Sequence, residues 1–553
     1  MIGIDVGGTF TDGVILQDGR TTRWVKEPTD TLHLTDTVLK VLDKLTVDLD
    51  MQGIKRIVLS TTLITNLLAT GQLEKAALII IPGPGLNPRD LDLADNSYVL
   101  TGAIDFRGRE IEKTESDEIL NIGKTIDTER IKKVAVVGKF SQRNPVHEEQ
   151  VRDVLQKHFP HFEILMGHDV SGQLNFPRRA VTTYYTLVTR QAWSDFADNI
   201  QKAVSQRGID VPLEVMKADG GTMSLSVSKF QPCQTVFSGP AASTMGAYGL
   251  TLDHKTSVVV DIGGTTSDLA FILEGNPLQA SKGATIDQRY THVKALAVRS
   301  IPLGGDSVVK ITNGQLTIGL DRYGPAACLG GLLPTPTDAF NMISDIGLGD
   351  IEQSKQALST LNSEVSVVAQ QIIDTFVKLL LDEIHQMLKA WEMEPAYKVW
   401  EIVNRRKVKL ERVIGIGAAS PAIVPILAEK LGCVSFLHPY SAVGNALGAV
   451  IARPTAQLNL HADTGTGVYS IQGLSKMLDN PSHFSLKDAK NLAEKELEAL
   501  TVDNEMHEYF TDREFVLEEQ FNVVRGWSTT AKIFDVALTI SPGVISSFKG
   551  VKA

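Results

Sequence analysis

Short apolar runs separated by glycine-rich turns dominate the pattern of this chain, and they predict buried β-strands. MIGI (residues 1–4) and GVIL (13–16) lie on either side of one such turn, and SVVV (257–260) and LAFIL (269–273) flank another. Each second run ends in turn-forming residues, Gln-Asp-Gly-Arg in one case and Glu-Gly-Asn-Pro in the other. The pattern therefore predicts two β-hairpins, each with a glycine-rich turn between its strands.

The two turns have closely similar sequences, IDVGGTFTD at 4–12 and VDIGGTTSD at 260–268. At an offset of 256 residues, five positions in nine are identical: Asp5, Gly7, Gly8, Thr9 and Asp12 correspond to Asp261, Gly263, Gly264, Thr265 and Asp268. Two unrelated turns are not expected to share this spacing. The repeat therefore indicates that the same structural motif occurs twice in the chain.

A glycine turn inside a hairpin differs from the two common nucleotide-binding loops, which place a helix directly after their glycines. Paired glycines in a hairpin instead expose backbone N–H groups that can bind an oxyanion. The same turns also carry hydroxyl donors: Thr9, Thr11, Thr265 and Thr266. Asp5 and Asp261, at the strand ends, suit a Mg²⁺ ion and its waters. We predict that the two loops face each other and hold a nucleotide polyphosphate, in preference to two plain turns.

A third glycine-rich segment, residues 410–431, predicts a strand that runs into a helix from about Pro421. We predict that the junction between them seats adenosine, with Gly415, Gly417 and Ala418 facing the ring. Two alternatives stay open, a close strand–helix turn that binds nothing and a Rossmann loop. The Rossmann alternative is disfavoured because a serine stands where its third glycine would be.

Small residues recur at three- and four-residue spacing in SAVGNALGAVIA (441–452), which predicts a helix that packs closely. This helix is either part of a hinge between two lobes or an ordinary buried helix. After it the composition changes, and residues 456–553 are predicted to form a small α+β appendage. The expected domains are residues 1–175, residues 176–455 and this appendage.

The amino-acid composition, net charge and cysteine content exclude several classes of protein. The chain has 553 residues, 43% apolar and 22% charged, which is typical of soluble globular proteins with several domains. A net charge of -11 argues against nucleic acid or an anionic membrane as the main partner. The three cysteines form no CxxC pair, so neither a disulfide framework nor a zinc knuckle is indicated. With no signal-peptide pattern and no apolar stretch of about 18 residues, we expect a cytoplasmic protein.

The two hairpins, the glycine-rich strand–helix junction and the small-residue helix together resemble the superfamily of sugar kinases, Hsp70 and actin. Within it, the chain resembles the ATP-binding A subunit of the hydantoinase/oxoprolinase family. Five further segments carry this resemblance: STTLITNLLATGQ (60–72), MKADGGTMS (216–224), FSGPAAS (237–243), SIPLGGDSVVKI (300–311) and GPAACLGGLLPTPTDAF (324–340). The family usually has GPAGG where this chain has GPAAS, and a fuller glycine run where it has LGGDS. These departures affect the prediction of the substrate more than the prediction of the nucleotide site.

The resemblance implies two actin-like (ribonuclease H-like) ATPase lobes with ATP and Mg²⁺ in the cleft between them. It implies ATP-dependent phosphorylation of the carbonyl oxygen of a hydantoin, oxoproline or similar cyclic amide. Asp5 and Asp261 would orient metal-bound waters, one of them acting as a base, while Thr62 and Asn66 would border the substrate. An alternative for Thr62 is the capping of a helix. Asp12 and Asp268 would brace their loops by accepting from backbone N–H groups.

The resemblance also implies a separate hydantoinase B-type subunit and a small-molecule substrate, and a homo-oligomer is left open. Two other functions remain alternatives. One is a small-molecule kinase that releases a stable phosphoester, and the other is a non-enzymatic ATP-gated binding protein. Both would use the same nucleotide motifs, so the sequence does not separate them.

Overall fold

A computed structural model describes residues 1–550, apart from positions 31, 50–52, 88–89, 313–314, 345, 362–363, 395–407, 472 and 527. The described part folds into two α/β lobes and a C-terminal sheet. The α/β architecture with two lobes is therefore confirmed. Among the helices described, none is both long enough and apolar enough to cross a membrane.

The first lobe is built on a six-stranded sheet and a four-stranded sheet. In chain order its elements are β1 (Ile2–Val6), β2 (Phe10–Gln17), β3 (Arg20–Pro28), α1 (Leu34–Thr46), β4 (Ile57–Thr61), α2 (Leu63–Thr70), β5 (Ala76–Ile81), β6 (Ser97–Val99), β7 (Ala103–Ile104), β8 (Glu110–Glu112), α3 (Ser116–Thr128), β9 (Lys133–Gly138), α4 (Val146–His158), β10 (Glu163–Met166), α5 (Gly167–Val170), α6 (Phe176–Gln206), β11 (Leu213–Met216), β12 (Thr222–Ser224) and α7 (Leu225–Ser228). The strand orders are β12-β11-β4-β1-β2-β3 and β10-β9-β5-β6.

The second lobe is centred on the repeated hairpin. Its elements are α8 (Ser238–Thr251), β13 (Ser257–Ile262), β14 (Ser267–Leu273), β15 (Asn276–Pro277), β16 (Thr285–Ile286), β17 (Arg289–Tyr290), β18 (Val298–Ile301), β19 (Val309–Thr312), β20 (Gln315–Ile318), α9 (Pro336–Ser344), α10 (Ile351–Ser359), α11 (Val365–Glu392), β21 (Arg412–Ile416), α12 (Ser420–Leu431), β22 (Val434–Phe436) and α13 (Gly444–Ile451). Its main sheet has the order β15-β14-β13-β21-β22, and β18 pairs with β14.

The C-terminal region forms a five-stranded antiparallel sheet with one long helix packed on it. Its elements are β23 (Ala456–Asp463), β24 (Val468–Ile471), β25 (Leu474–Met477), α14 (Leu486–Asp503), β26 (Arg513–Arg525) and β27 (Ser528–Ile540), and the strand order is β25-β24-β23-β27-β26. The chain then returns to the first lobe, where Ile545 and Phe548 pack with Val14 and Leu16 of β2. This region is therefore anchored to the first hairpin.

Both predicted hairpins are present, and their registers are identical. Asp5 pairs with Asp12 between β1 and β2, and Asp261 pairs with Asp268 between β13 and β14. Each first strand also has a parallel neighbour, β4 beside β1 and β21 beside β13. Both first strands are fully buried, which explains why their sequences are continuous apolar runs rather than alternating ones.

The boundary expected at residue 175 cuts across the first lobe. Strand β11 pairs in parallel with β4, and β12 pairs with β11, so residues 213–224 complete the first sheet. Trp193 of α6 lies in the same hydrophobic core as Ile2 and Ile4 of β1. The chain enters the second lobe only with α8. The boundary between the lobes is set by strand pairing between distant segments, which cannot be seen in the composition along the chain.

Helices α8 and α13 cross in direct backbone contact at the junction of the lobes. A Cβ added to Gly448 would overlap the carbonyl oxygen of Ala242, and one added to Gly246 would overlap that of Gly444. From its other face, α13 contacts β1, because a Cβ at Gly3 would overlap the carbonyl of Ala446. The predicted small-residue helix is thus buried and lies where elements of both lobes meet.

Candidate functional site

The two glycine-rich loops meet across the gap between the lobes. A Cβ added to Gly8 would lie 3.4 Å from Oγ1 of Thr265, and one added to Gly264 would lie 2.6 Å from Oγ1 of Thr9. Segments that are 256 residues apart in the sequence are therefore neighbours. The structure brings together the predicted loop residues of both hairpins.

Each loop is closed by the same turn and leaves amide groups available. The N–H of Gly7 donates to the carbonyl of Phe10, and the N–H of Gly263 donates to that of Thr266, both at 3.0 Å. The next two residues of each loop are only partly buried. Their amides donate to no protein acceptor in the described part of the chain. Two pairs of backbone N–H groups can thus bind an anion between the loops.

Two buried carboxylates lie behind the loops and share one side-chain donor. Asp5 and Asp261 are 3% and 7% exposed. Nδ2 of Asn445, on α13, lies 3.3 Å from Oδ2 of Asp5 and 3.1 Å from Oδ2 of Asp261. Ser243, on α8, also donates to Asp261. Burial raises the pKa of Asp5 to about 7 and raises that of Asp261 as well, because an ionised carboxylate is disfavoured away from water.

This pair fits a magnesium ion held through its waters. Oδ1 of Asp5 is buried and has no hydrogen-bond partner among the described residues. A cation near it would stabilise the ionised forms that burial disfavours. Groups of three or more His, Cys, Asp or Glu side chains able to coordinate a metal directly do not occur in the described ranges. A water-mediated ion is therefore the arrangement that these two carboxylates suit.

Asp12 and Asp268 have surroundings that differ from those expected. Asp12 accepts from Nζ of Lys26 at 2.7 and 2.8 Å, so its partner is an ammonium group and not a loop amide. Asp268 has a buried oxygen, Oδ1, without a partner in the described structure, and burial raises its pKa to about 7. The bracing role through backbone N–H groups is therefore wrong for Asp12, and Asp268 carries a second strongly raised pKa.

The predicted adenosine junction is only partly supported by its geometry. Gly417 has φ +86°, and a Cβ there would lie 2.9 Å from Oδ1 of Asp261, so a glycine is required where this turn approaches the second hairpin. Gly417 and Ala418 are partly exposed. Gly415 is buried inside β21, where an added Cβ would touch Ser420 and Val424 of α12 at 2.8 and 2.9 Å. Gly415 therefore packs under the helix and does not face an open site.

Thr62 and Asn66 lie beside the first loop. The Thr62 hydroxyl donates to the carbonyl of Val6 at 3.3 Å, and Nδ2 of Asn66 donates to Oγ1 of Thr62 at 3.3 Å. A Cβ on Gly239, at the start of α8, would lie 3.6 Å from the Thr62 methyl group. Thr62 makes no side-chain cap bond to α2. Its position next to the end of β1 agrees with a place at the edge of the cleft, and the capping alternative is not observed.

Profiles of two regions of one protein family match most of the chain. The profile of the hydantoinase/oxoprolinase family matches residues 179–458, and the profile of the hydantoinase/oxoprolinase N-terminal region matches residues 1–159. The chain belongs to the hydantoinase/oxoprolinase family. The resemblance drawn from the motifs is confirmed.

The relatives of this hydantoinase/oxoprolinase family member include subunits of larger enzymes. The caprolactamase subunit alpha of Pseudomonas jessenii is 23% identical over 80% of this chain and 68% of its own length. The acetophenone carboxylase gamma subunit of Aromatoleum aromaticum is 25% identical over 63% of this chain and 53% of its own length.

Two solved structures have the same fold. Nucleotide-free acetone carboxylase gives a TM-score of 0.73 at 16% identity, covering 100% of this chain and 88% of that one. The ATP-dependent caprolactamase from Pseudomonas jessenii gives a TM-score of 0.67 at 18% identity, covering 99% and 88%. At these identities the structural similarity establishes the fold of this hydantoinase/oxoprolinase family member. It does not assign functional residues.

Several polar residues of this family member's site were missed by sequence reasoning. Asn445, Ser243 and Lys26 hold the carboxylates, as described above. Asn445 is the only side chain with an amide in the small-residue helix, which is the one local hint of its role. Ser243 belongs to GPAAS, the segment that departs from the usual glycines, and its hydroxyl reaches Asp261.

The LGGDS segment supports the second loop from behind. The N–H of Asp306 donates to the carbonyl of Gly264 at 2.8 Å, and a Cβ on Gly264 would overlap Oδ2 of Asp306. Burial raises the pKa of Asp306, and the nearby guanidinium of Arg322 partly offsets this. Nε and Nη2 of Arg322 are buried without partners in the described structure. A cation with unused donors therefore stands close to the second loop.

The raised pKa of Asp268 predicts a pH-dependent contribution to stability. Its ordinary value is 3.8 and its folded value is about 7. Between these values the folded chain holds the extra proton. The contribution is therefore present below pH 4 and is lost as the pH rises through 7. We expect Asp268→Asn to raise the free energy of unfolding relative to wild type, with a gain that grows from pH 4 to pH 8 in urea titrations. A gain independent of pH would contradict the assignment.

Proposed function

We propose that this chain is the ATP-dependent subunit of an enzyme that activates the carbonyl oxygen of a cyclic amide by phosphoryl transfer. The observation that carries the proposal is the meeting of two similar glycine loops in front of a pair of buried carboxylates that share the Asn445 donor. Gly8 and Gly264 allow the backbone close approach to phosphate, and Asp5 and Asp261 suit the magnesium ion. Membership of the hydantoinase/oxoprolinase family and the caprolactamase subunit among the relatives support the choice of substrate class.

In the proposed reaction, the main contribution of the protein is to position the amide oxygen and ATP. The amide oxygen attacks the γ-phosphorus of ATP, the bond to the β-phosphate oxygen breaks, and ADP leaves. Such transfer has a loose transition state, so the loops mainly align the reactants and neutralise charge. Magnesium, when bound, supplies charge neutralisation at the phosphates. Water then attacks the phosphorylated amide carbon, and the C–N bond breaks, which opens the ring and leaves an acyl phosphate. A second water hydrolyses the acyl phosphate to the free acid and phosphate.

We further propose that ring opening needs a second subunit of the hydantoinase B type. The relatives named above are all subunits of larger assemblies. The described lobes present one set of phosphate loops, and the C-terminal sheet packs on the first lobe through an apolar contact. Hydrolysis of the activated amide is therefore assigned to the partner, with weak turnover by this chain alone.

A ketone is the second candidate acceptor, because the chain is 25% identical to the acetophenone carboxylase gamma subunit over 396 residues. An enolate oxygen could attack the same γ-phosphorus from the same side of the cleft. The two loops and the carboxylate pair would serve it equally well, since the proposal assigns them to the nucleotide and its metal ion. The choice between lactam and ketone therefore depends on residues near Thr62 and on the partner.

The direct test is turnover by the chain co-expressed with a B-type subunit. With MgATP and caprolactam, hydantoin or 5-oxoproline, we expect equal amounts of ADP, phosphate and ring-opened acid, measured by coupled assay and mass spectrometry. The control mixtures lack either the subunit or the lactam. A stable phosphoester as product would instead identify a small-molecule kinase. ADP formation only with acetophenone and bicarbonate would favour carboxylation, and MgATP binding without turnover on any acceptor would favour an ATP-gated binding protein.

A further inference from the structure

A second cavity lies away from the nucleotide loops. Its volume is about 1090 Å³, and it is bounded by the edge of the first sheet at β11 and β12, by residues 279–294 and by the C-terminal region. Residues 7–9 and 263–266 do not contribute to its wall. The cavity is therefore separate from the site proposed for ATP, and its chemistry has to be considered on its own.

Lys294 supplies an ammonium group to the wall of this cavity. Its Nζ lies 3.3 Å from the hydroxyl of Thr539, on β27. In the described part of the chain, Asp219 acts on it through its charge and not through a hydrogen bond. Burial lowers the pKa of Lys294, and the nearby Lys217 also lowers it, against the opposing effect of Asp219. A partly buried cation with a single neutral partner has unused capacity for an anion.

Lys217 adds a second ammonium group whose carboxylate partner is already fully engaged. Its Nζ lies 3.2 Å from Oδ2 of Asp219 and donates to Thr455 at 2.8 Å. Asp219 also accepts from the N–H of Gly221 at 2.9 Å and from the Thr455 hydroxyl at 2.8 Å. Two ammonium groups thus stand near one carboxylate. Over the whole cavity wall, six Lys and Arg side chains face five Asp and Glu side chains, so the excess of positive charge is confined to the surroundings of Lys294 and Lys217.

The remaining lining favours an organic anion over a bare inorganic ion. Seven amide side chains line the cavity, among them Gln231, Gln234 and Gln279, and Ser and Thr residues also line it. The volume is that of sites for small organic molecules, whereas an inorganic anion fills only a small part of it. Amides and hydroxyls can bind polar groups along a carbon skeleton, and an ammonium group pairs well with a carboxylate.

We propose that this cavity binds a carboxylate-bearing small molecule, with the carboxylate held by Lys294 and Lys217 beside the Thr539 hydroxyl. The proposal does not depend on the nucleotide site or on the reaction proposed above. Helix α13 and the residues that follow it link the two places, because Asn445 in the helix contacts Asp5 and Asp261 while Thr455 after it contacts Lys217. The affinity of the cavity for its ligand can therefore be measured first without ATP and then with ATP present.

The test is calorimetric titration of the full chain with glutarate, and with glutaramide as a neutral ligand of the same shape. We expect glutarate to bind with a dissociation constant of about 1 mM and glutaramide not to bind. Lys294→Met should weaken glutarate binding by about tenfold, the loss typical of one charge-assisted hydrogen bond. The matched control is Lys282→Met, which removes the same charge from an exposed residue at the cavity wall, and it should leave binding nearly unchanged.

Several outcomes would overturn the proposal. They are the absence of heat with glutarate, equal binding by glutaramide, unchanged binding in Lys294→Met, and displacement of glutarate by inorganic phosphate at equal affinity, which would indicate an inorganic anion site. Thermal melting checks that each variant folds. If Lys294→Met does not fold, Thr539→Val provides the second test, since it removes only the neighbouring hydroxyl and should weaken binding by a few-fold.

Discussion

Replacing Asp261 with asparagine is expected to reduce ATP turnover by about 10³-fold. Asparagine has nearly the same shape and can still accept from Ser243, but it has no negative charge to hold the proposed magnesium ion. The loop amides remain, so nucleotide binding should weaken much less than turnover does. Steady-state assays with the partner subunit, together with calorimetric binding of MgATP, measure the two effects separately.

The stability of the same variant provides an internal check. Burial raises the pKa of Asp261, so removing its charge should leave the melting temperature unchanged or higher. Asp374→Asn is the matched control, since this carboxylate is exposed on α11 and its removal should alter neither turnover nor stability. If Asp261→Asn retained full turnover, the carboxylate pair would have no part in the chemistry, and the role proposed for it would be wrong.

Replacing Gly448 with alanine is expected to destabilise the fold by about 3 kcal/mol or more. The new Cβ would overlap the carbonyl oxygen of Ala242, and the nitrogen of Gly246 would lie 2.5 Å away. Backbone atoms cannot rotate aside as a side chain can, so α8 and α13 would have to separate. This separation would displace Ser243 on α8 and Asn445 on α13 from the carboxylates that they contact, so a loss of turnover should accompany the loss of stability.

Urea denaturation of wild type and Gly448→Ala, followed by circular dichroism, measures the first effect. Gly53→Ala is the matched control, because an added Cβ at Gly53 meets no atom within 4 Å and should change the free energy of unfolding little. Unchanged stability in Gly448→Ala would mean that the helices can part without cost. The close packing of α8 against α13 would then not determine the positions of Asp5 and Asp261.

The hairpins and their loops could be predicted because their determinants are local. Buried strands require apolar runs, tight turns require glycine or Asp-Gly, and a repeat of the same spacing shows in the sequence. The strand–helix junction before Pro421 was predicted for the same reason, and α12 begins at Ser420. The role given to Gly415 was wrong because a glycine inside a strand can face a helix as easily as a ligand, and only packing decides which.

The sequence alone determined that two hairpins with glycine-rich loops exist, that their sequences are similar, and that the chain belongs with the hydantoinase/oxoprolinase family. Only the tertiary structure decided that Asn445 joins Asp5 to Asp261, that Lys26 neutralises Asp12, and that residues 213–224 complete the first sheet. The physical reason is the range of the interactions. Hydrogen bonding within a turn acts over a few residues and leaves a pattern in the sequence. A donor shared by two carboxylates acts over hundreds of residues and exists only once the lobes and helices α8 and α13 have packed together.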